Sequence, residues 1–77
     1  MDYSLSFKVN EHIYLRDPDG TELGKQIVKH AIELIYKVGF EHFTFKKLAL
    51  EMNTTEASIY RYFTNKHRLL LYILNWY

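Results

Sequence analysis

A chain of 77 residues has room for one small domain, close to the lower size at which a single apolar core suffices. Apolar residues at 48%, with aromatics at 17% and charged residues at 25%, exclude a disordered chain, and the absence of cysteine excludes a disulfide framework and a thiolate metal site. A formal net charge of +1 says little about partners, but its distribution says more: residues 1 to 36 hold four Lys and Arg against six Asp and Glu, and residues 37 to 68 hold six against three.

Residues 1 to 20 carry the weakest pattern. Phe7, Val9, Ile13 and Leu15 alternate with polar residues around Asn10-Glu11, which allows a short hairpin or, equally, an extended arm packed on helices. Asp17-Pro18-Asp19-Gly20 closes this arm as a turn and leads into a helix start. A first helix is expected over residues 21 to 38, with Leu23, Ile27, Ala31, Leu34, Ile35 and Val38 in one stripe that Val28 and Ile32 widen. Lys29 and Glu33 stand one turn apart, as a weak surface pair or simply a solvated face. Gly39 supplies the left-handed residue that stops this helix, and Phe40 and Phe43 follow as core anchors.

The densest pattern lies between Thr44 and Phe63. Phe45, Leu48, Ala49 and Met52 fall at i, i+3, i+4 and i+7, so they share one face of a two-turn helix over residues 45 to 52, with Leu50 outside the stripe. Thr44 is its N-cap candidate, and Asn53 suits the left-handed position that ends it. Thr55 can cap a further helix over residues 56 to 63 whose apolar pair is Ile59 and Phe63, leaving Glu56, Ala57, Ser58, Tyr60, Arg61 and Tyr62 for the rest of its surface. That is the layout of a helix-turn-helix. Asn65 caps a last helix over residues 66 to 77, where Leu69, Leu70, Ile73, Leu74 and Tyr77 follow at helical spacing with Leu71, Tyr72 and Trp76 between them. A helix apolar on nearly every side is built to be covered, either by the N-terminal arm or by a continuation of the chain. The expected fold class is therefore all-α: a three-helix bundle in which helices 2 and 3 form the helix-turn-helix, plus the start of a fourth helix.

Gly39-Phe40-Glu41, Thr44, Leu48-Ala49, Thr55, Ile59-Tyr60, Tyr62-Phe63, Asn65-Lys66 and Leu69-Leu70, in this order and spacing, resemble the DNA-binding domain of the tetracycline-repressor (TetR) family of bacterial transcription regulators. The resemblance covers roughly residues 21 to 77, with residues 1 to 20 as a separate N-terminal arm. It implies a bacterial, cytoplasmic regulator, often a repressor. Its missing C-terminal domain would bind a small-molecule effector and form the homodimer, while this domain would bind a double-stranded DNA operator. Members usually begin with a short basic tail, which residues 1 to 20 do not match. Other departures are Glu56, where a basic or neutral polar residue is usual, Tyr62 for a common histidine, Thr54 for an apolar residue, and Ala57 for a frequent glycine.

Groove binding divides the residues by task. Thr44 begins a helix whose free N–H groups and partial positive charge suit a phosphate, and it also serves as a plain N-cap. Tyr60, Tyr62 and Lys66 match family positions that touch phosphates, with core packing as the competing role for the two tyrosines. Thr55, Glu56, Ala57, Ser58 and Arg61 are the candidates for base edges: Arg61 can form two hydrogen bonds to guanine, Ser58 can donate or accept, Ala57 can touch a thymine methyl, and Glu56 can accept from a cytosine amino group. Arg61 and Lys66 are both expected to be exposed. A helical protein-interaction module, using the Tyr and Leu surfaces against a partner helix, is the alternative. An enzyme is disfavoured by the lack of a Gly-rich phosphate loop, a clustered carboxylate pair or a partnered histidine, so no catalytic residue and no cofactor are expected. His12, His30, His42 and His67 have no metal-site spacing, no stretch reaches the roughly 20 apolar residues of a membrane span, and Met1-Asp2-Tyr3 lacks the basic start of a signal peptide.

Overall fold

The computed structural model describes residues 13 to 76. Of the hairpin or arm expected over residues 1 to 20, residues 1 to 12 lie outside the described residues, as does the place of Tyr77. Within them all regular structure is helical: a 3-10 turn Pro18–Gly20, helix α1 Glu22–Val38, a second 3-10 turn Phe40–His42, and helices α2 Phe45–Met52, α3 Glu56–Tyr60 and α4 Lys66–Trp76.

The first helix starts where Thr21 stands in extended conformation and its hydroxyl accepts the Gly24 N–H at 2.9 Å. It ends at Gly39, whose φ of 85° is open to glycine and whose N–H returns to the Ile35 carbonyl at 2.8 Å. Ile27, Val28, Ala31 and Leu34 are buried, with Leu23, Ile32, Ile35 and Val38 partly buried beside them, so the expected stripe is present and turned slightly toward Val28. Gly24 is also buried, because a Cβ there would fall within 2.7 Å of the Pro18 carbonyl carbon. The turn at Pro18 thus lies directly on α1. Glu33 reaches His30 Nδ1 at 3.7 Å rather than Lys29.

Helix α2 buries Phe45, Leu48 and Ala49, keeps Met52 partly buried and leaves Leu50 exposed, as its spacing requires. Asn53 closes it in the left-handed region at φ 57° and ψ 46°, and the Thr54 N–H bonds the Ala49 carbonyl at 2.9 Å. Two of the chain's expectations need correction beyond this point. Helix α3 closes at Tyr60, three residues before residue 63, although Phe63 N–H still reaches the Ile59 carbonyl at 3.2 Å. The last turn tightens, with the Tyr62 N–H bonded to the Ile59 carbonyl three residues back at 2.9 Å, and the Tyr62 carbonyl accepts the Leu15 N–H at 2.7 Å instead of a donor four residues on. In α4, the inward residues are Leu69 and Tyr72, while Leu74 is 69% exposed. Tyr72 takes the place of Leu74 because its ring packs edge-on against both Phe63 and Tyr14, each at 5.7 Å between centroids.

The core joins all these elements: Ile13 from the arm, the α1 stripe, Phe43, Phe45, Leu48 and Ala49, then Ile59, Tyr62 and Phe63, then Leu69 and Tyr72. Residues 13 to 16 form no strand. They run as a strap that buries Ile13 completely, sets Tyr14 on α4 and bonds Leu15 to the end of the helix-turn-helix.

Candidate nucleic-acid interface

The helix-turn-helix fixes α3 by its caps. Thr55 is extended, and its Oγ1 accepts the Ser58 N–H at 3.2 Å and shares a hydrogen bond with the Ser58 hydroxyl at 3.0 Å. Both hydroxyls are therefore engaged with each other across the first turn, where Glu56 and Ala57 are exposed. Arg61 follows Ala57 by four residues, on the same face, and is exposed with no ion pair among the described residues. Tyr60 is 47% exposed with its ring edge-on to Phe45 at 5.0 Å, a geometry that buries one side of the ring and frees the hydroxyl end. Thr44 is exposed at the start of α2, and its Oγ1 accepts the Lys47 N–H at 3.1 Å. Its side chain thus serves as the N-cap, leaving the other free N–H groups of the first turn available.

Two expected site residues are elsewhere. Tyr62 is only 2% exposed. Its hydroxyl shares a 2.6 Å hydrogen bond with Thr21 Oγ1, and the Arg16 guanidinium lies 5.6 Å from its ring centroid. The sequence reading sets this phenol among phosphate donors, but burial and the Thr21 partner make it a tether between the start of α1 and the end of the helix-turn-helix. Lys66 is half-buried rather than exposed. Its ammonium donates to the carbonyls of Phe40 at 2.8 Å and Phe43 at 3.0 Å, approaches that of Glu41 at 3.4 Å, and sits 4.6 Å from the Phe40 ring centroid. An ammonium has three protons, so these carbonyls occupy its donors, and Lys66 staples the start of α4 to the turn that aims α2.

Sequence reasoning did not find the strap contacts of Leu15 and Arg16 or the lysine staple. A signal for the tether existed: core packing was the competing role of Tyr62, and Thr21 stood at the helix start. Among the described residues no group of three His, Asp or Glu is placed to hold a metal, and no helix is long and apolar enough to cross a membrane.

Two short helices joined through a left-handed asparagine, with the second presenting a polar face and the first packed on a longer scaffold helix, define a helix-turn-helix domain. The family model described as "Bacterial regulatory proteins, tetR family" matches residues 27–73, and the chain belongs to that family, whose members are DNA-binding regulators rather than enzymes. No curated protein and no solved structure matches the chain.

Proposed function

We propose that this chain is the sequence-specific operator-binding domain of a transcription regulator, with α3 and its cap, residues 55 to 63, entering the major groove. The observation that supports it best is the exposed face of Glu56, Ala57, Tyr60 and Arg61, held by a capped turn and, among the described residues, free of partners that the fold needs, apart from the Tyr60 ring against Phe45. Arg61 reads guanine, Ala57 touches a thymine methyl, Glu56 accepts from a cytosine amino group, and Thr55 and Ser58 reach bases through their linked hydroxyls. The start of α2 at Thr44 and the Tyr60 hydroxyl hold phosphates. Tyr62 and Lys66 act one step back, by fixing the angle of α3 and the start of α2.

Residues 21 to 77 then form the binding domain behind the arm of residues 1 to 20. A further C-terminal domain of the longer regulator forms the homodimer and takes the small-molecule effector in the bacterial cytoplasm. Two α3 helices about 34 Å apart would meet successive major grooves of an inverted repeat. Titration of the 77-residue chain with duplex DNA across a salt series tests the reading. Binding that weakens steeply as salt rises is expected, while binding absent at low salt, or a slope near zero, refutes it. The helical interaction module is the reading that a failure would favour.

A further inference from the structure

The strap that covers the core also carries a cation to the end of the helix-turn-helix. Leu15 N–H donates to the Tyr62 carbonyl at 2.7 Å, and the next residue, Arg16, places its guanidinium 5.6 Å from the Tyr62 ring centroid. Tyr62 follows directly on Arg61, whose side chain belongs to the exposed face of α3, so a second guanidinium stands at the C-terminal end of that helix. We propose that Arg16 is a DNA-backbone contact, a cation that the strap holds beside α3 to take a phosphate at the edge of the groove. The contact presupposes that α3 enters the groove, and it comes from outside the helix-turn-helix.

The Arg16 side chain is exposed and, among the described residues, has no hydrogen bond and no ion pair, so its five N–H donors are uncommitted there. The ring contact orients the guanidinium without engaging those donors, because a cation over a ring face is held by the ring's quadrupole. Tyr62 itself cannot serve at this edge: it is 2% exposed, and its hydroxyl is bonded to Thr21 at 2.6 Å. The carboxylates nearest in the chain, Asp17 and Asp19, line the cleft beside Tyr72 and Trp76, and neither pairs with Arg16. One Asp17 oxygen is held to the turn by the Asp19 N–H at 3.0 Å. The planar fork of an arginine donates two parallel N–H bonds to a phosphate. With Leu15 bonded one residue earlier, the backbone under that fork is already placed, so less freedom is lost on binding.

Arg16→Gln keeps a polar side chain and removes the charge. Binding of wild type and variant to two duplexes of unrelated sequence is measured across a salt series. Loss of one phosphate contact should reduce the slope of log K against log salt by about 0.9, which is about eightfold in affinity at 0.1 M salt referred to 1 M, and equally on both duplexes. Arg16→Lys keeps the charge and should keep the slope. Lys29→Gln, the same loss of charge at an exposed residue of α1, should leave the slope unchanged. A role confined to covering Tyr62 would instead lower stability in a urea melt and leave the slope of Arg16→Gln at the wild-type value, which overturns the phosphate contact. Loss on one duplex alone overturns it by making Arg16 a base contact, and an equal drop for Lys29→Gln overturns it by reducing the effect to net charge. A wild type that fails to bind DNA at low salt removes the groove reading and this contact with it, whereas a wild type that binds steeply beside an unchanged Arg16→Gln removes the contact alone.

Discussion

Replacing Lys66 by methionine separates a structural staple from a surface charge. Methionine keeps the unbranched stem and removes the ammonium, leaving the Phe40 and Phe43 carbonyls without the donor now at 2.8 and 3.0 Å. Net hydrogen bonds to a charged group contribute about 1.5–3 kcal/mol, so the loss of this bonded group should lower stability by about 2–3 kcal/mol, with the ring contact inside that range. For a domain of this size a loss of about 2 kcal/mol lowers Tm by roughly 8–16 °C. The assay is urea unfolding followed by circular dichroism at 222 nm, with Lys46→Met as the control, since Lys46 is an exposed lysine on α2 without an ion pair among the described residues. The control should change stability by no more than about 0.5 kcal/mol. A Lys66→Met variant as stable as the control would refute the staple and return Lys66 to the pool of free surface cations.

Other substitutions probe the strap and the tether. Tyr62→Phe removes the 2.6 Å hydrogen bond to Thr21 and should cost about 0.5–1.5 kcal/mol in a urea melt while leaving the salt slope of DNA binding unchanged. Tyr60→Phe should do the reverse, weakening binding to all duplexes with no loss of stability, because the Tyr60 ring contact with Phe45 survives the change. Gly24→Ala gains about 1 kcal/mol of helix propensity, yet its methyl meets the Pro18 backbone, and overpacking of roughly 1–3 kcal/mol should make the variant less stable. A higher melting temperature for Gly24→Ala would show that the turn yields easily.

Local signals predicted local structure well. Thr44, Thr55 and Asn65 each stand as the helix-start residue their chemistry implies, Thr21 caps the first helix instead of lying within it, and Gly39 and Asn53 hold the positive φ values that end α1 and α2. What the sequence did not disclose depends on contacts between distant segments. The end of the helix-turn-helix is held by a bond between Leu15 and Tyr62, 47 residues apart in the chain, and no periodicity encodes it. Tyr62 reads as amphipathic because its hydroxyl is ambiguous until Thr21 is found 2.6 Å away. Lys66 is a charged residue at a helix start, and only the three converging carbonyls of the Phe40–His42 turn and Phe43 turn it inward. In α4, where almost every residue is apolar, spacing alone could not choose between Tyr72 and Leu74, and the aromatic neighbours Tyr14 and Phe63 decided it. The exposed face of α3 was legible from the outset, since Ile59 and Phe63 leave Glu56, Ala57 and Arg61 no place in the core.

Sequence-specific reading by α3 is tested most directly with Arg61. Duplexes enriched by the 77-residue chain from a random pool define its preferred site, and the binding constants of wild type and Arg61→Ala are then measured on that site and on random duplex across a salt series. The side chain is exposed, so helical signal should be retained. Arg61→Ala should lose roughly 1–3 kcal/mol on the preferred site and little on random DNA. Equal weakening on both duplexes would make Arg61 a phosphate contact. The absence of any enriched sequence, or unchanged binding of the variant to the preferred site, would contradict base reading by α3.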